Sequence, residues 1–180
     1  MLMICFISFA NAQKGKKEDV FNNPNNKAAR VLPDLNILLV PQLRNGGSEA
    51  VYQPVAGVPG RIKIPVNIII KNVGFATSKP CKVFLYADYQ RNRTSSEIDR
   101  GVAEGAFNEA AVSEPMLLEA LPQGKEIGRK HAFTFNQFPN LAPGKKVRLT
   151  ALIIYLPING ELSNDNNKSR EFEVILTTDL

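Results

Sequence analysis

The chain has 180 residues, 44% of them hydrophobic and 22% charged, with a formal net charge of +5. Plentiful Ile, Val, Leu and Phe suit one domain, or one domain plus a tail, and exclude a disordered polymer. The charge does not mark a nucleic-acid binder, which would carry a basic face on its folded part: Lys14, Lys16, Lys17, Lys27 and Arg30 against Glu18 and Asp19 place +3 of the +5 in residues 14–30.

The opening run, MLMICFISFANAQ, has no charged side chain. It is shorter than the roughly 20 apolar residues that span a bilayer. Ala10-Asn11-Ala12 has the small-x-small form of a signal-peptidase site, so residues 1–12 read as a signal peptide and the product as periplasmic, extracellular or cell-surface. No Lys or Arg precedes the run, which leaves a start further upstream open. Residues 13–32 form a basic, Asn-rich tail. A solvated linker is the plain reading of it, and attachment to an anionic surface is the alternative. Removal of residues 1–12 also removes Cys5 and leaves Cys81 as the one cysteine. The core must then hold without an internal disulfide. Cys81 itself reads as a small buried hydrophobe, with a reactive thiol or an intermolecular disulfide as the alternatives.

From residue 33 onward the hydrophobic period is two. PDLNILLV puts Leu35, Ile37 and Leu39 on one side. In RIKIPVNIIIKNVG, Ile62, Ile64, Val66, Ile68 and Ile70 face one way, and Arg61, Lys63, Asn67 and Lys71 the other. Pro65 cannot donate to a ladder, so a bulge or an unpaired edge is expected there. CKVFLYADY turns Cys81, Val83, Leu85 and Ala87 inward, and RKHAFTFNQF buries His131, Phe133 and Phe135. KVRLTALIIYLP begins alternating at Val147, Leu149, Ala151 and Ile153, then becomes apolar on both faces. REFEVIL points Phe172, Val174 and Leu176 inward. Asn72-Val73-Gly74, LPQG, LAPG and PING supply turns between these runs. Short strands with Gly/Pro turns imply an all-β sandwich or barrel.

Residues 89–114 keep no strand period, and a short helix or a partly ordered flap are the two readings. A stretch this long without its own structure is uncommon in a compact domain. It is therefore where a ligand site is expected. Tyr89, Arg91, Arg93, Arg100 and Phe107 are residue types favoured in recognition surfaces.

The segment GELSNDNNKSREFEV raises a metal question. Calcium takes about 6–8 oxygen ligands, several of them carboxylates, but Glu161 and Asp165 are the only carboxylates before Glu171. Asn164, Asp165, Asn166 and Asn167 suit a structural turn, because Asn and Asp tolerate left-handed angles and bond their own backbone. No metal and no cofactor is expected. Nor is a catalytic residue: His131 is the lone histidine, and no nucleophile elbow, paired zinc-ligand motif or phosphate-cradling loop is present.

The order of PDLNILLV, VNIIIKNVGFATS, KVFLYAD, LPQGKEI, LAPGKKV and NGELSNDNNKSREFEV resembles the CARDB family, the cell-adhesion-related domain found in bacteria. The likeness spans residues 33–177. In that pattern Pro33-Asp34-Leu35 opens the first strand, Asn72 and Gly74 form the turn after the second long strand, and Asn166-Asn167 introduce the last. The resemblance implies an immunoglobulin-like, seven-stranded antiparallel β-sandwich over residues 33–180; residues 89–114 depart from it as a longer insertion between central strands. It also implies an accessory domain to a cell-surface enzyme or fibre. The function expected is an exported, non-catalytic module that binds a protein or glycan, or serves as a spacer. A hydrolase of an extracellular polymer, with its site in the insertion, is the second reading.

Overall fold

Each period-two run becomes a strand in the computed structural model, which describes residues 32–90, 96, 100, 107, 109–141, 143–155 and 165–178. Those residues carry nine strands: β1 (Leu35–Pro41), β2 (Glu49–Pro54), β3 (Ile62–Asn72), β4 (Cys81–Tyr89), β5 (Glu109–Val112), β6 (Met116–Leu118), β7 (Glu126–Phe135), β8 (Lys146–Ile154) and β9 (Phe172–Thr178). The proposed signal peptide and all of the tail except Leu32 lie outside the described residues.

The strands make two layers. In one, β3 is central, with β1 on one edge and β7 on the other, both antiparallel. In the other, β8 lies between β4 and β9, and β4 carries β5 and β6 along its far edge. The second strand joins the layers. Its first residues run parallel to β9, and its last two, Gln53 and Pro54, pair with β3. Inward residues of both layers form one core, with Leu35, Leu39, Ile64, Ile68, Val83, Leu85, Phe133, Phe135 and Leu149 all essentially inaccessible. The protein is thus an all-β sandwich.

Among the described residues there are nine strands rather than seven, and two chain breaks contribute to the difference. The first and second strands share one edge of β3, separated by a turn in which Asn45 takes φ 51°. The fifth and sixth share one edge of β4, separated at Ser113-Glu114-Pro115. Pro65 sits in the first gap: β1 pairing ends at Val66 and β2 pairing resumes at Lys63. Its missing N–H therefore faces no partner strand, and the ladder to β7 passes through Pro65–Ala132 without a bulge.

Three buried serines manage the ends of strands in the same way. The Ser113 N–H donates to the Leu85 carbonyl (3.0 Å), and the Leu85 N–H donates back to Ser113 Oγ (2.9 Å). Ser169 does this with Ala151, at 2.9 Å each way, and Ser78 with Leu121, at 3.0 and 2.9 Å. In each pair a hydroxyl replaces the carbonyl that the turning chain has carried away, so a buried N–H keeps its partner.

The half-buried His131 departs from its expected place in the core. It has the inward parity of Phe133 and Phe135, but it lies on an edge strand and rests edge-on against Phe133 at 4.6 Å. Burial, and then the charge of Arg129, holds its pKa below the usual histidine value. The unfolded chain therefore binds a proton more readily, and stability falls as pH drops through the ordinary histidine pKa. Urea midpoints from pH 7.5 down to 5 should decline more steeply in the wild type than in His131→Gln. Parallel curves would contradict this.

Candidate functional site

Three motifs far apart in sequence meet at one corner. Asn72 is fully buried, and all of its side-chain hydrogen-bonding capacity is used. Its Oδ1 accepts from the Asp34 N–H (3.2 Å) and the Gly74 N–H (3.1 Å). Its Nδ2 donates to the carbonyls of Ala76 (2.7 Å) and Leu121 (2.8 Å). Asp34 in turn accepts from Asn166 Nδ2 at 2.7 Å. The Pro33-Asp34-Leu35 opening, the Asn-x-Gly turn and the Asn pair therefore tie β1 to the turn after β3 and to the segment leading into β9. Gly74 is needed for contact: a Cβ there would lie 2.4 Å from the Asp34 nitrogen, 2.5 Å from the Pro33 carbonyl carbon and 2.6 Å from the Leu32 oxygen.

Asp165, Asn166 and Asn167 form a 3-10 turn whose Asn167 is buried, while Asn164 and Glu161 lie outside the described residues. Nearby, Lys168 donates to Glu171 at 2.9 Å. That bond, and then the Lys168 charge, holds the Glu171 carboxyl below its ordinary pKa. Among the described residues, no group of three or more His, Cys, Asp or Glu side chains is placed to hold a metal ion. One oxygen of the Asp34 carboxylate accepts from the Asn166 amide.

Two of the residues expected to form a ligand site, Tyr89 and Phe107, stand on opposite sides of their layer. The parity that turns Cys81, Val83, Leu85 and Ala87 inward also turns Tyr89 inward, and its ring packs 5.8 Å from that of the buried Phe138. Burial, then the Glu109 carboxylate, raises the Tyr89 pKa. Phe107 lies on the opposite side of the sheet, where Arg148 sits 3.8 Å over its ring. Arg148 alternates with the inward Val147 and Leu149, so this contact is on the outer surface. Arg100 is exposed and donates to the Ser96 carbonyl at 3.0 Å. Arg91 and Arg93 lie outside the described residues. The stretch 89–114 is also shorter than expected as an insertion, since Tyr89 ends β4 and Glu109–Val112 form β5. Two adjacent alanines, Ala110 and Ala111, hid that strand, because alanine carries no strand signal.

A concave site lies elsewhere, where β2 passes from one layer to the other. A groove of about 820 Å³ opens between the β2–β3 connection, the turn after β7 and the end of β9, lined by Tyr52, Val58, Arg61, Phe138, Leu141 and Leu176, among others. Its wall is a double turn in which the Val58 N–H donates to the Val55 carbonyl (3.2 Å) and the Arg61 N–H to the Val58 carbonyl (3.1 Å). Gly57 and Gly60, at φ 74° and 76°, allow both turns. The Phe138 N–H donates to Gly60 at 2.6 Å, which joins wall to floor. The Phe138 ring, at 5.4 Å from Phe135 and backed by Tyr89, forms the floor. Arg61 pairs with Glu114 at 3.1 Å, and its buried Nε has no hydrogen-bond partner among the described residues. The signal in the sequence was apolar side chains in turns: Val55, Val58 and Leu141 occupy positions that polar residues usually fill.

Solved structures with similar architecture were found. One is from Pyrococcus furiosus, a crystal structure in complex with di-metal ions. It is 16% identical, has a TM-score of 0.45, and covers 81% of this chain and 90% of that one. It is a CARDB domain. A solution NMR structure of the CARDB domain from the same Pyrococcus furiosus protein is 18% identical with a TM-score of 0.44, covering 81% of this chain and 96% of that one. A Listeria innocua beta-glucosidase in complex with glucose is 15% identical with a TM-score of 0.39; the match covers 80% of this chain but 16% of the enzyme. The CARDB neighbours are of the family whose motif order the sequence resembles, and no residue role passes from any neighbour to this chain. No protein-family model matches the sequence, and no curated protein does. No helix among the described residues is long and apolar enough to cross a membrane.

Proposed function

We propose that this protein is an exported, non-catalytic binding module that recognises a protein or glycan partner at or near the bacterial cell surface. The groove carries this reading. It is concave, of a size that ordinarily holds a ligand, and lined mainly by apolar and aromatic side chains with Arg61 and Asn140 as polar contacts. Export is supported by the uncharged apolar opening and Ala10-Asn11-Ala12. An aromatic floor beside an arginine suits the apolar face of a sugar or a hydrophobic peptide anchor.

Val58 is 43% exposed on the groove wall, so Val58→Asp changes the groove without opening the core. Incubation with a panel of glycans and peptides should show stoichiometric retention by the wild type. The variant should lose roughly 1–3 kcal/mol of binding while its urea midpoint stays within experimental error. Turnover of a panel member without stoichiometric binding would favour an enzyme instead.

A further inference from the structure

We propose that the free edge of β7 accepts an extended, acidic polypeptide segment as an added strand. This surface is separate from the groove, and either can fail without the other.

Strand β7 pairs only with β3 among the described strands. The direction of its remaining backbone groups follows from the hydrogen bonds at its two ends. The Asn72 N–H donates to Lys125 (3.0 Å), and its carbonyl accepts from Gly124 (2.9 Å), so even-numbered β3 residues face β7. Their partners are the odd-numbered residues Ile127, Arg129, His131, Phe133 and Phe135. In an antiparallel ladder alternate residues point to opposite sides. Gly128, Lys130 and Ala132 therefore direct their N–H and C=O groups away from β3. Thr134 confirms the phase: its carbonyl already accepts the Glu114 N–H at 2.7 Å from outside. One contact at this edge is thus already made, and the next three outward-facing residues are exposed. No proline or bulge interrupts this run.

Charge selects the occupant. Lys130 shares the outer face of this layer with Lys63 and Lys71, and Arg129 is exposed beside it; Glu126 is the lone acid on the strand and stands opposite Lys71. A second copy pairing about the Arg129-Lys130 run would set like charges against each other, which destabilises a ladder. An acidic strand meets complementary charge, and its backbone pairs with six waiting groups.

Amide hydrogen exchange of the whole protein gives the first test. Gly128, Lys130 and Ala132 should exchange fast, and Ile127, Arg129 and His131 slowly. A blocked peptide of about ten residues, the length of a long strand, alternating Glu with Val, should then slow the first three. A peptide with Lys in place of Glu should not. Ala132→Pro removes an outward N–H and leaves the β3 ladder intact, so affinity should drop several-fold, up to about tenfold, as one lost hydrogen bond implies. Should Ala132→Pro fail to fold, Lys130→Glu at an exposed position gives the same reading through charge. Protection of the three amides in the isolated protein, no binding of the acidic peptide, equal binding of the lysine peptide, or binding untouched by both variants would each overturn the proposal.

Discussion

Gly74→Ala is expected to lower the stability of the domain by about 3 kcal/mol or more, a loss in the range of severe overpacking. The added methyl would lie 2.4–2.6 Å from backbone atoms of Leu32, Pro33 and Asp34, and backbone cannot swing aside as a side-chain tip can. Relief requires the opening segment to move. That movement breaks the bond from the Phe75 N–H to Leu32 (3.0 Å), the bond from the Val73 N–H to Asp34 (2.7 Å) and the bond from Asp34 to Asn72. Each such bond is worth about 1 kcal/mol net. Gly128→Ala is the control, because its Cβ would meet only Ile69 Cγ1, at 3.9 Å. Urea denaturation should show a large drop in midpoint for the first variant and almost none for the second. Equal midpoints would mean that the corner yields more easily than its contacts imply.

Asn72→Ala should cost about 3–5 kcal/mol. It removes the partners of two backbone N–H groups and two carbonyls at once, and an orphaned buried group costs about 1–3 kcal/mol. The sum is smaller than four full penalties because water can reach the Asp34 and Ala76 contacts, which are only partly buried. Asn72→Asp separates shape from bonding. A carboxylate keeps the acceptor for Asp34 and Gly74 but sets a second oxygen against the Ala76 and Leu121 carbonyls. It should therefore be at least as damaging as alanine. An Asp variant close to wild type would contradict the assigned amide orientation. Asn166→Ala, which removes one bond to Asp34, should cost only about 1 kcal/mol.

The strands were legible because burial on one face imposes a period of two, and Ile62, Ile64, Val66, Ile68 and Ile70 are all buried as that period requires. The turn chemistry at Asn72, Gly74 and Asn166 was also legible as local preference. Their meeting at Asp34 was not, since no local rule relates positions 38 and 132 residues apart. The separation of Tyr89 from Phe107 was missed for a related reason. Tyr89 and Phe107 were grouped by chemical type within one stretch, although the parity of β4 already sent Tyr89 inward. The groove needed two turns to be seen side by side, and each taken alone reads as a connector. Pro65 lay between: its inability to donate was evident, but the gap between two strands that accommodates it is a product of tertiary structure.

The central claim is that this sandwich binds through the groove at the strand crossover. Two-dimensional NMR of the isotope-labelled protein, titrated with a retained member of the glycan and peptide panel, tests it most directly. The reading predicts saturable shifts concentrated at Tyr52, Val58, Arg61, Phe138 and Leu141, lost in Val58→Asp. Shifts centred on the Phe107–Arg148 surface, with the groove resonances unmoved, would contradict it.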